Sequence, residues 1–262
     1  MAAAPSSATL LTRPPWAQFN DAQRQQLTYL WDDARAWHDF RRSMPLFLPG
    51  VMKLSVRARL AVAAGLFESI VWRFDGLHHR PEPRLIAEAA WCATVDPRYL
   101  RCYELTRDEW LGPVEGPLWC AVAWLQAGVP KGDLFELDLY DSLVFLMKLA
   151  LHVAPQPDQF EPQWREILTR WSVLFPPLPD DPFADLFGVA RGARLGPIVG
   201  RALLDPAAPL SQRRDKDFLD TLLRHAHATQ NPFLATPDEL DDLHFAGPKY
   251  CVPVTVPVTA SG

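Results

Sequence analysis

The chain reads Val114-Glu-Gly-Pro-Leu-Trp-Cys-Ala-Val-Ala-Trp-Leu-Gln-Ala-Gly128 and, after a short polar break, Asp141-Ser-Leu-Val-Phe-Leu-Met-Lys-Leu-Ala-Leu-His-Val153. As a helix, the first run is apolar around nearly its whole circumference, which is typical of a helix inside a bundle. In the second run Asp141, Lys148 and His152 fall on one narrow stripe, and apolar side chains cover the remaining surface. The two runs predict a pair of central helices.

The composition is that of a folded protein with an ordinary core, because 48% of the 262 residues are hydrophobic. The net charge is -5 and no Lys/Arg cluster exceeds a pair, so we expect neither nucleic acid nor an anionic membrane as a partner. A bilayer span needs about 20 consecutive apolar residues, and neither run reaches that length without interruption. We therefore expect no membrane-spanning segment.

The four cysteines have no CxxC spacing and predict neither a zinc site nor a disulfide framework. Cys92 and Cys120 each follow a tryptophan in an apolar run, so we expect both thiols to be buried and unreactive. Cys102 and Cys251 are expected to react faster. The N-terminus lacks the basic and apolar regions of a signal peptide, which favours a cytoplasmic protein.

Periodicity and capping residues predict further helices along the chain. These are a helix capped by Asn20 that ends near Met44-Pro45, one from Ser55 to Gly76, one over 84–95, one opened by a capping box at Thr106-Arg-Asp-Glu109, one beginning at Glu161-Pro162, one over 211–229, and a last one opened by Thr236-Pro-Asp-Glu239. Apart from the C-terminal tail, no segment shows the alternation of a strand. The fold class is therefore predicted to be all-α, as a multi-helix bundle or an irregular helical array.

Proline-rich and polar stretches suggest how the chain is divided. Residues 1–19 are predicted to be a mobile arm, residues 20–175 the main helical domain, and residues 183–247 a smaller helical region packed on it or linked to it. The linker between the two helical parts is Pro176-Pro-Leu-Pro-Asp-Asp-Pro182, since its four prolines cannot continue a helix. Residues 248–262 are predicted to be an extended tail.

The chain carries no phosphate-binding loop, dinucleotide fingerprint, HExxH, GxSxG or EF-hand motif. Five residues remain as weak catalytic candidates, because they lie in a loop or interrupt an apolar helix face: His78, His79, Asp141, His152 and His225. The ordinary interpretation of each is a solvated or structural side chain. No metal site and no cofactor is predicted.

The tail alternates valine with proline or threonine. As a strand, it would have both prolines, which lack a backbone N–H, on one hydrogen-bonding edge, and the other edge would be free to pair. Strand addition to a partner is one interpretation, and a disordered or polyproline-like end is the other. In both cases the tail is expected to contribute little to the fold. The residues predicted to bind a partner are those of the two termini: Trp16, Val252, Val254, Val256 and Val258.

These observations favour a non-catalytic cytosolic protein that binds another protein. Such a protein is an adaptor, an effector chaperone or an immunity-type inhibitor, with a bacterial source as one option. The alternatives are an all-α hydrolase or metal-dependent enzyme that uses the histidines and Asp141, and a structural subunit of a larger assembly. The sequence leaves the three classes open.

Overall fold

The computed structural model describes residues 9–17, 20–35, 45, 48–178 and 194–253. Within these ranges the protein is helical, and its only β-type pairing is an isolated bridge between Leu100 and Leu234. The α-helices are α1 (Asp21–Gln25), α2 (Val56–Arg73), α3 (Glu82–Ala93), α4 (Gly112–Gly128), α5 (Glu136–Val153), α6 (Pro157–Leu174), α7 (Gln212–Ala228) and α8 (Pro237–Asp242). Short 3-10 helices cover Pro15–Ala17, Leu48–Lys53, Pro97–Tyr99, Arg107–Glu109 and Arg201–Leu204. The predicted all-α class is confirmed.

Helix α2 lies at the centre of the bundle and is buried along nearly its whole length. It packs against α3, α4 and α5. Ser55 caps it, with the Ser55 hydroxyl accepting the Ala58 amide at 3.4 Å. Gly65 has no room for a side chain, because a Cβ there would meet Leu204 at 2.7 Å and Trp164 at 3.1 Å. The sequence placed α4 and α5 at the centre, whereas in the structure they flank α2.

Helices α4 and α5 form a closely packed helical hairpin, joined by the turn at 129–135. Gly128 lets the two backbones approach, since a Cβ there would lie 2.5 Å from Ser142. Further along, the Trp124 and Phe145 rings stack at a centroid distance of 3.8 Å. Both predicted helices are confirmed, although the second begins at Glu136, five residues before Asp141.

The N-terminal segment differs most from its prediction. Asn20 does cap a helix through a capping box with Gln23, but that helix ends at Gln25. The buried Arg73 guanidinium donates hydrogen bonds to the carbonyl oxygens of Arg24 and Gln26, at 2.6 and 2.8 Å. Those carbonyls would otherwise accept the amides of the next helical turn. Residues 36–44, where the predicted helix continued, lie outside the described ranges.

Two other predicted helix starts are wrong. Thr106 makes no side-chain cap, and only one 3-10 turn follows it before Gly112. So short a segment cannot offset the cost of nucleating an α-helix. Helix α6 begins at Pro157 rather than Glu161, because Pro157 is well suited to the first turn, and Pro162 is accommodated inside the helix.

Residues 194–253 pack on the rest of the chain in one continuous hydrophobic core. Helix α7 contacts α3, and the Asn231 amide donates to the Leu85 carbonyl at 2.8 Å. Helix α7 lies within the predicted range 211–229 and is capped by Ser211, and the cap predicted for α8 is present at Thr236, with its capping box to Glu239. The first part of the predicted smaller region, 183–193, and the end of the proline linker, 179–182, lie outside the described residues.

The cysteines are all free, and their burial follows the predicted order. Cys92 and Cys120 are buried, Cys102 is exposed and Cys251 is partly exposed. Burial raises the pKa of the Cys92 thiol well above its ordinary value. Burial also raises the pKa of Cys120 to about 12. Both thiols are therefore protonated at neutral pH, as unreactive thiols must be.

Candidate functional site

The predicted catalytic residues do not form a shared site. His78 Nδ1 accepts the Arg80 amide at 3.1 Å, and burial lowers the pKa of His78. His79 is exposed beside it. The His225 ring lies 3.6 Å from a carboxylate oxygen of Glu88 in a different part of the protein. Among the residues that the structure describes, no three His, Cys, Asp or Glu side chains are grouped so that they could hold a metal ion.

The three side chains of the α5 stripe, Asp141, Lys148 and His152, have different surroundings. Asp141 is exposed. The Lys148 ammonium lies 5.8 Å from the centre of the Phe145 ring. The His152 ring packs on Tyr29 at a centroid distance of 5.3 Å, in contact with the N-terminal segment. The stripe is therefore not a concave site with converging polar groups.

Sequence reasoning missed a buried carboxylate at the centre of the protein, that of Glu68 on α2. Its side chain is fully buried. The indoles of Trp72 and Trp91 donate to its two oxygens at 2.7 and 2.8 Å. Arg201 completes the set as a charged donor, with Nε at 2.9 Å from Oε2 and Nη2 in contact with Oε1. The carboxylate is thus held by paired charge and by two indole donors, as a stable buried charge requires.

A second carboxylate, Glu88 on α3, is also fully buried. It accepts the Leu10 amide at 3.0 Å and the Asn231 side-chain amide at 3.1 Å. The Arg201 guanidinium likewise donates to the Thr12 carbonyl. The two buried carboxylates therefore act together to hold residues 10–12 of the N-terminal segment against the bundle.

Both carboxylates are enclosed by donors, and the hydrogen bonds that they accept join separate segments of the chain. One sequence signal pointed to Glu68, since it stands within the apolar run of α2 four residues before Trp72. On a helix this spacing puts the two side chains on one face. The distant donors, Arg201 and Leu10, had no local signal.

The N-terminal arm and the tail are not free where the structure describes them. Leu11 and Ala17 are buried, and Trp16 packs against the core. In the tail Val252 is 3% exposed, and its amide donates to Asp220 Oδ1. Where it is described, the predicted mobile arm therefore packs against the bundle, and the Val252 side chain lies in the core of its own chain. Val254, Val256 and Val258 lie outside the described residues.

An exposed corner at the start of α5 brings together large apolar side chains and carboxylates. We define the acidic apolar corner as residues 133–141. Leu134, Phe135 and Leu137 are 61%, 52% and 76% exposed, and Asp138 and Asp141 are exposed beside them. The corner combines apolar contact area with negative charge.

Helical geometry explains why this corner faces solvent. Leu139 is fully buried and points into the bundle, and residues two positions apart on a helix point roughly 160° apart. Leu137 must therefore point outward. The ion pair between the buried Arg59 and Glu136, at 2.7 Å, fixes the first turn of α5 on α2. Extending the α5 pattern backwards from Leu143 in the sequence would have indicated the exposure of Leu137.

Comparisons with protein-family models, curated protein sequences and solved structures find no match for this chain. None of the helices in the described part of the chain has both the length and the apolar character needed to cross a lipid bilayer. The site itself must therefore carry any functional conclusion.

Proposed function

We propose that this chain is a non-catalytic protein-binding protein and that the acidic apolar corner is its docking surface. The observation that carries the proposal is the exposure of three large apolar side chains within four residues, Leu134, Phe135 and Leu137. Isolated exposed leucines are ordinary, but contiguous exposed apolar patches on soluble proteins are associated with binding sites. The histidine sites contribute no competing arrangement.

The charges around the corner indicate the chemistry of the partner. Leu137, Asp138 and Asp141 are exposed, and Asp141 lies on the same side of α5 as the other two because it follows them by four and three positions. A surface with both properties is complementary to a protein segment that carries apolar anchors together with Lys or Arg. We therefore infer a basic, amphipathic partner segment. The class of adaptor, chaperone or inhibitor depends on that partner.

The turn before α5 is joined to the helix by a backbone hydrogen bond and by close packing, as a preformed surface requires. Phe135 and Leu139 join the turn to α5 through a backbone hydrogen bond of 3.2 Å. Gly132 lies under Leu139, where a Cβ would meet that side chain at 3.0 Å. Binding would then require little ordering of the backbone, which limits its entropic cost.

The test is co-purification of the tagged protein from its native cells, with Leu137→Ser compared with Val173→Ser. Val173 on α6 is the control, since it is also apolar and is 78% exposed, close to the 76% of Leu137. We expect a protein that co-purifies with wild type and Val173→Ser to be reduced at least about tenfold with Leu137→Ser, as for a central interface residue. Equal recovery with both variants would reject the corner as the docking surface.

A further inference from the structure

Three arginines from separate segments of the chain meet one carboxylate just beyond the end of α2. Asp75 Oδ1 lies 3.1 Å from Nη2 of Arg84 on α3, and Asp75 Oδ2 lies 3.7 Å from Nη1 of Arg24 on α1. Arg13 of the N-terminal segment donates from Nη2 to the same Oδ2. We define the arginine cluster as these three arginines together with Asp75. In this cluster one negative charge faces three positive charges.

The charged groups around the cluster leave an excess of positive charge in place. Arg80 and Glu115 pair with each other at 2.7 Å, and burial lowers the pKa of His78, so the His78 ring adds no charge at neutral pH. Glu82, in the first turn of α3, adds one negative charge. The buried guanidinium of Arg73 adds one positive charge, because it donates to backbone carbonyls instead of to a carboxylate. Among the described residues, four arginine charges here are therefore opposed by two carboxylates.

Two of the guanidinium groups lie over a fixed aromatic ring. The Cζ atoms of Arg84 and Arg13 are 4.6 and 5.6 Å from the centre of the Trp72 ring. That ring is buried, and its indole N–H donates to Glu68 at 2.7 Å. Cation–π packing on a fixed ring holds the two guanidinium groups in place before any ligand arrives. A ligand that bound them would therefore lose little affinity to side-chain ordering.

The cluster can be reached from solvent. The Arg84 and Arg13 side chains are 41% and 29% exposed. Arg84 Nη1 has no hydrogen-bond partner among the described residues, and of the Arg84 nitrogens only Nε is both unpaired and shielded from solvent. Arg84 Nη1 is therefore open to a ligand.

The donor type and the charge excess together indicate the ligand. Guanidinium groups bind carboxylates and phosphates through paired N–H donors in a fixed plane. A single carboxylate would neutralise half of the excess charge, whereas a phosphate monoester carries almost two negative charges at neutral pH. The chain as a whole has a net charge of -5, so the positive potential is local. A local potential favours a small anion over nucleic acid.

We propose that the arginine cluster binds the phosphate group of a small soluble phosphate monoester. Arg84 and Arg13 donate to the phosphate oxygens, and the charge of Arg24 adds to the attraction. Asp75 competes with the ligand for the same guanidinium groups. Because the three arginines belong to the N-terminal segment, α1 and α3, the bound phosphate joins these segments to one another.

The site is separate from the acidic apolar corner. Arg59, in the first turn of α2, pairs with Glu136 of the corner, whereas Asp75 follows the last turn of α2. Helix α2 has 18 residues and is therefore about 27 Å long. The two sites thus lie at opposite ends of the central helix, so binding at one does not obstruct the other.

The test compares phenyl phosphate with benzoate, its carboxylate analogue, at the same ionic strength. Binding is followed by the arginine Nε–H resonances in heteronuclear NMR spectra. The Nε atoms of Arg13 and Arg84 are shielded from solvent, so their protons are suited to observation. The Arg84 resonance is assigned by its loss in Arg84→Gln. We expect phenyl phosphate to shift both resonances saturably and benzoate to bind at least about tenfold more weakly.

Three variants locate the site. Arg84→Gln should lower phenyl phosphate affinity about tenfold, measured on the Arg13 resonance, because one charged donor is lost. Arg213→Gln is the control and should bind like wild type, since Arg213 is 94% exposed on α7 with Asp217 as its neighbour. Asp75→Asn removes the competing carboxylate and should raise the affinity several-fold. A purely structural role for the cluster would not produce that gain.

A lipid headgroup could supply the same phosphate chemistry, and vesicles distinguish the two sources. The protein is sedimented with phosphatidylcholine vesicles, with and without phosphatidic acid. We expect retention on neither, because the net charge of -5 opposes adsorption to an anionic membrane. Retention that requires phosphatidic acid and is lost in Arg84→Gln would overturn the assignment to a soluble ligand.

Three further results would overturn the proposal. They are the absence of a saturable shift with phenyl phosphate, equal affinities for phenyl phosphate and benzoate, and the same phenyl phosphate affinity in folded Arg84→Gln as in Arg213→Gln. A lower affinity in folded Asp75→Asn would contradict the competition between Asp75 and the phosphate, and with it the proposed position of the ligand.

Discussion

Trp91 on α3 donates its indole N–H to Glu68 Oε2 on α2 at 2.8 Å, and this bond joins the central helix to its neighbour through a fully buried carboxylate. The same carboxylate neutralises Arg201, whose side chain is 12% exposed. Removing one partner of such a pair leaves the other charge buried without compensation. The stability of the bundle should therefore depend on Glu68 far more than on its surface ion pairs.

Glu68→Gln should lower the free energy of unfolding by about 3–5 kcal/mol, because the Arg201 guanidinium loses its counter-charge. Denaturant unfolding followed by circular dichroism measures the change. Glu161→Gln is the control, since Glu161 forms an exposed i,i+4 pair with Arg165, and it should cost less than about 0.5 kcal/mol. Similar losses in both variants would mean that Glu68 is not a structural charge.

Leu146→Asp should prevent folding, whereas Leu137→Asp on the same helix should not. Leu146 is fully buried and Leu137 is 76% exposed. An unpaired carboxylate in the core costs several kcal/mol against a total stability of about 5–15 kcal/mol. Soluble expression and thermal melting distinguish the two. A folded Leu146→Asp protein with wild-type melting would show that Leu146 does not lie in the core.

Truncation after Gly247 should destabilise the protein, in contrast to the sequence-based expectation that the tail contributes little. Tyr250 is 8% exposed, and its hydroxyl donates to the Ala235 carbonyl at 2.8 Å. Loss of Tyr250 and Val252 together should cost about 3–5 kcal/mol, from the burial of two apolar side chains. Truncation after Pro253 keeps these contacts and is the control. If both truncated chains melt like wild type, the tail does not stabilise the fold.

Asp215 should make stability depend on pH in the opposite sense to an ion-paired carboxylate. Burial raises the pKa of Asp215 above 3.8, and the nearby Arg214 offsets only part of that shift. The unfolded chain therefore loses this proton first, so stability falls as pH rises from 3.8 through the higher pKa of the folded state. Relative to wild type, Asp215→Asn should gain stability over that window and then remain level. A stability difference that does not vary with pH, or one that varies in the opposite direction, would contradict this.

The helices that the sequence predicted well are those whose signals are local. Ser55, Ser211 and Thr236 each cap a helix through a side-chain bond to a backbone amide three residues on. Capping depends only on neighbouring residues, so it can be recognised without a structure. The alternation of buried and exposed residues in α5 is local in the same sense.

The features that the sequence could not predict depend on residues far apart in the chain. The helix after Asn20 ends early because Arg73, about 50 residues away, donates hydrogen bonds to the carbonyls at its end. Glu68 accepts from the distant Arg201, and Glu88 accepts from the distant Leu10. Tertiary contacts of this kind override local propensity and leave no pattern in either segment alone. The exposure of Leu137, Asp138 and Asp141, by contrast, follows from the periodicity of α5.

The most direct test of protein binding at the corner is site-specific photo-crosslinking in native cells. A benzophenone side chain placed at Leu137 is compared with one at Val173, which is equally exposed on α6. We predict one dominant protein adduct from position 137, with a basic and apolar crosslinked peptide, and no such adduct from position 173. The absence of an adduct at 137, or the same set of adducts from both positions, would contradict it.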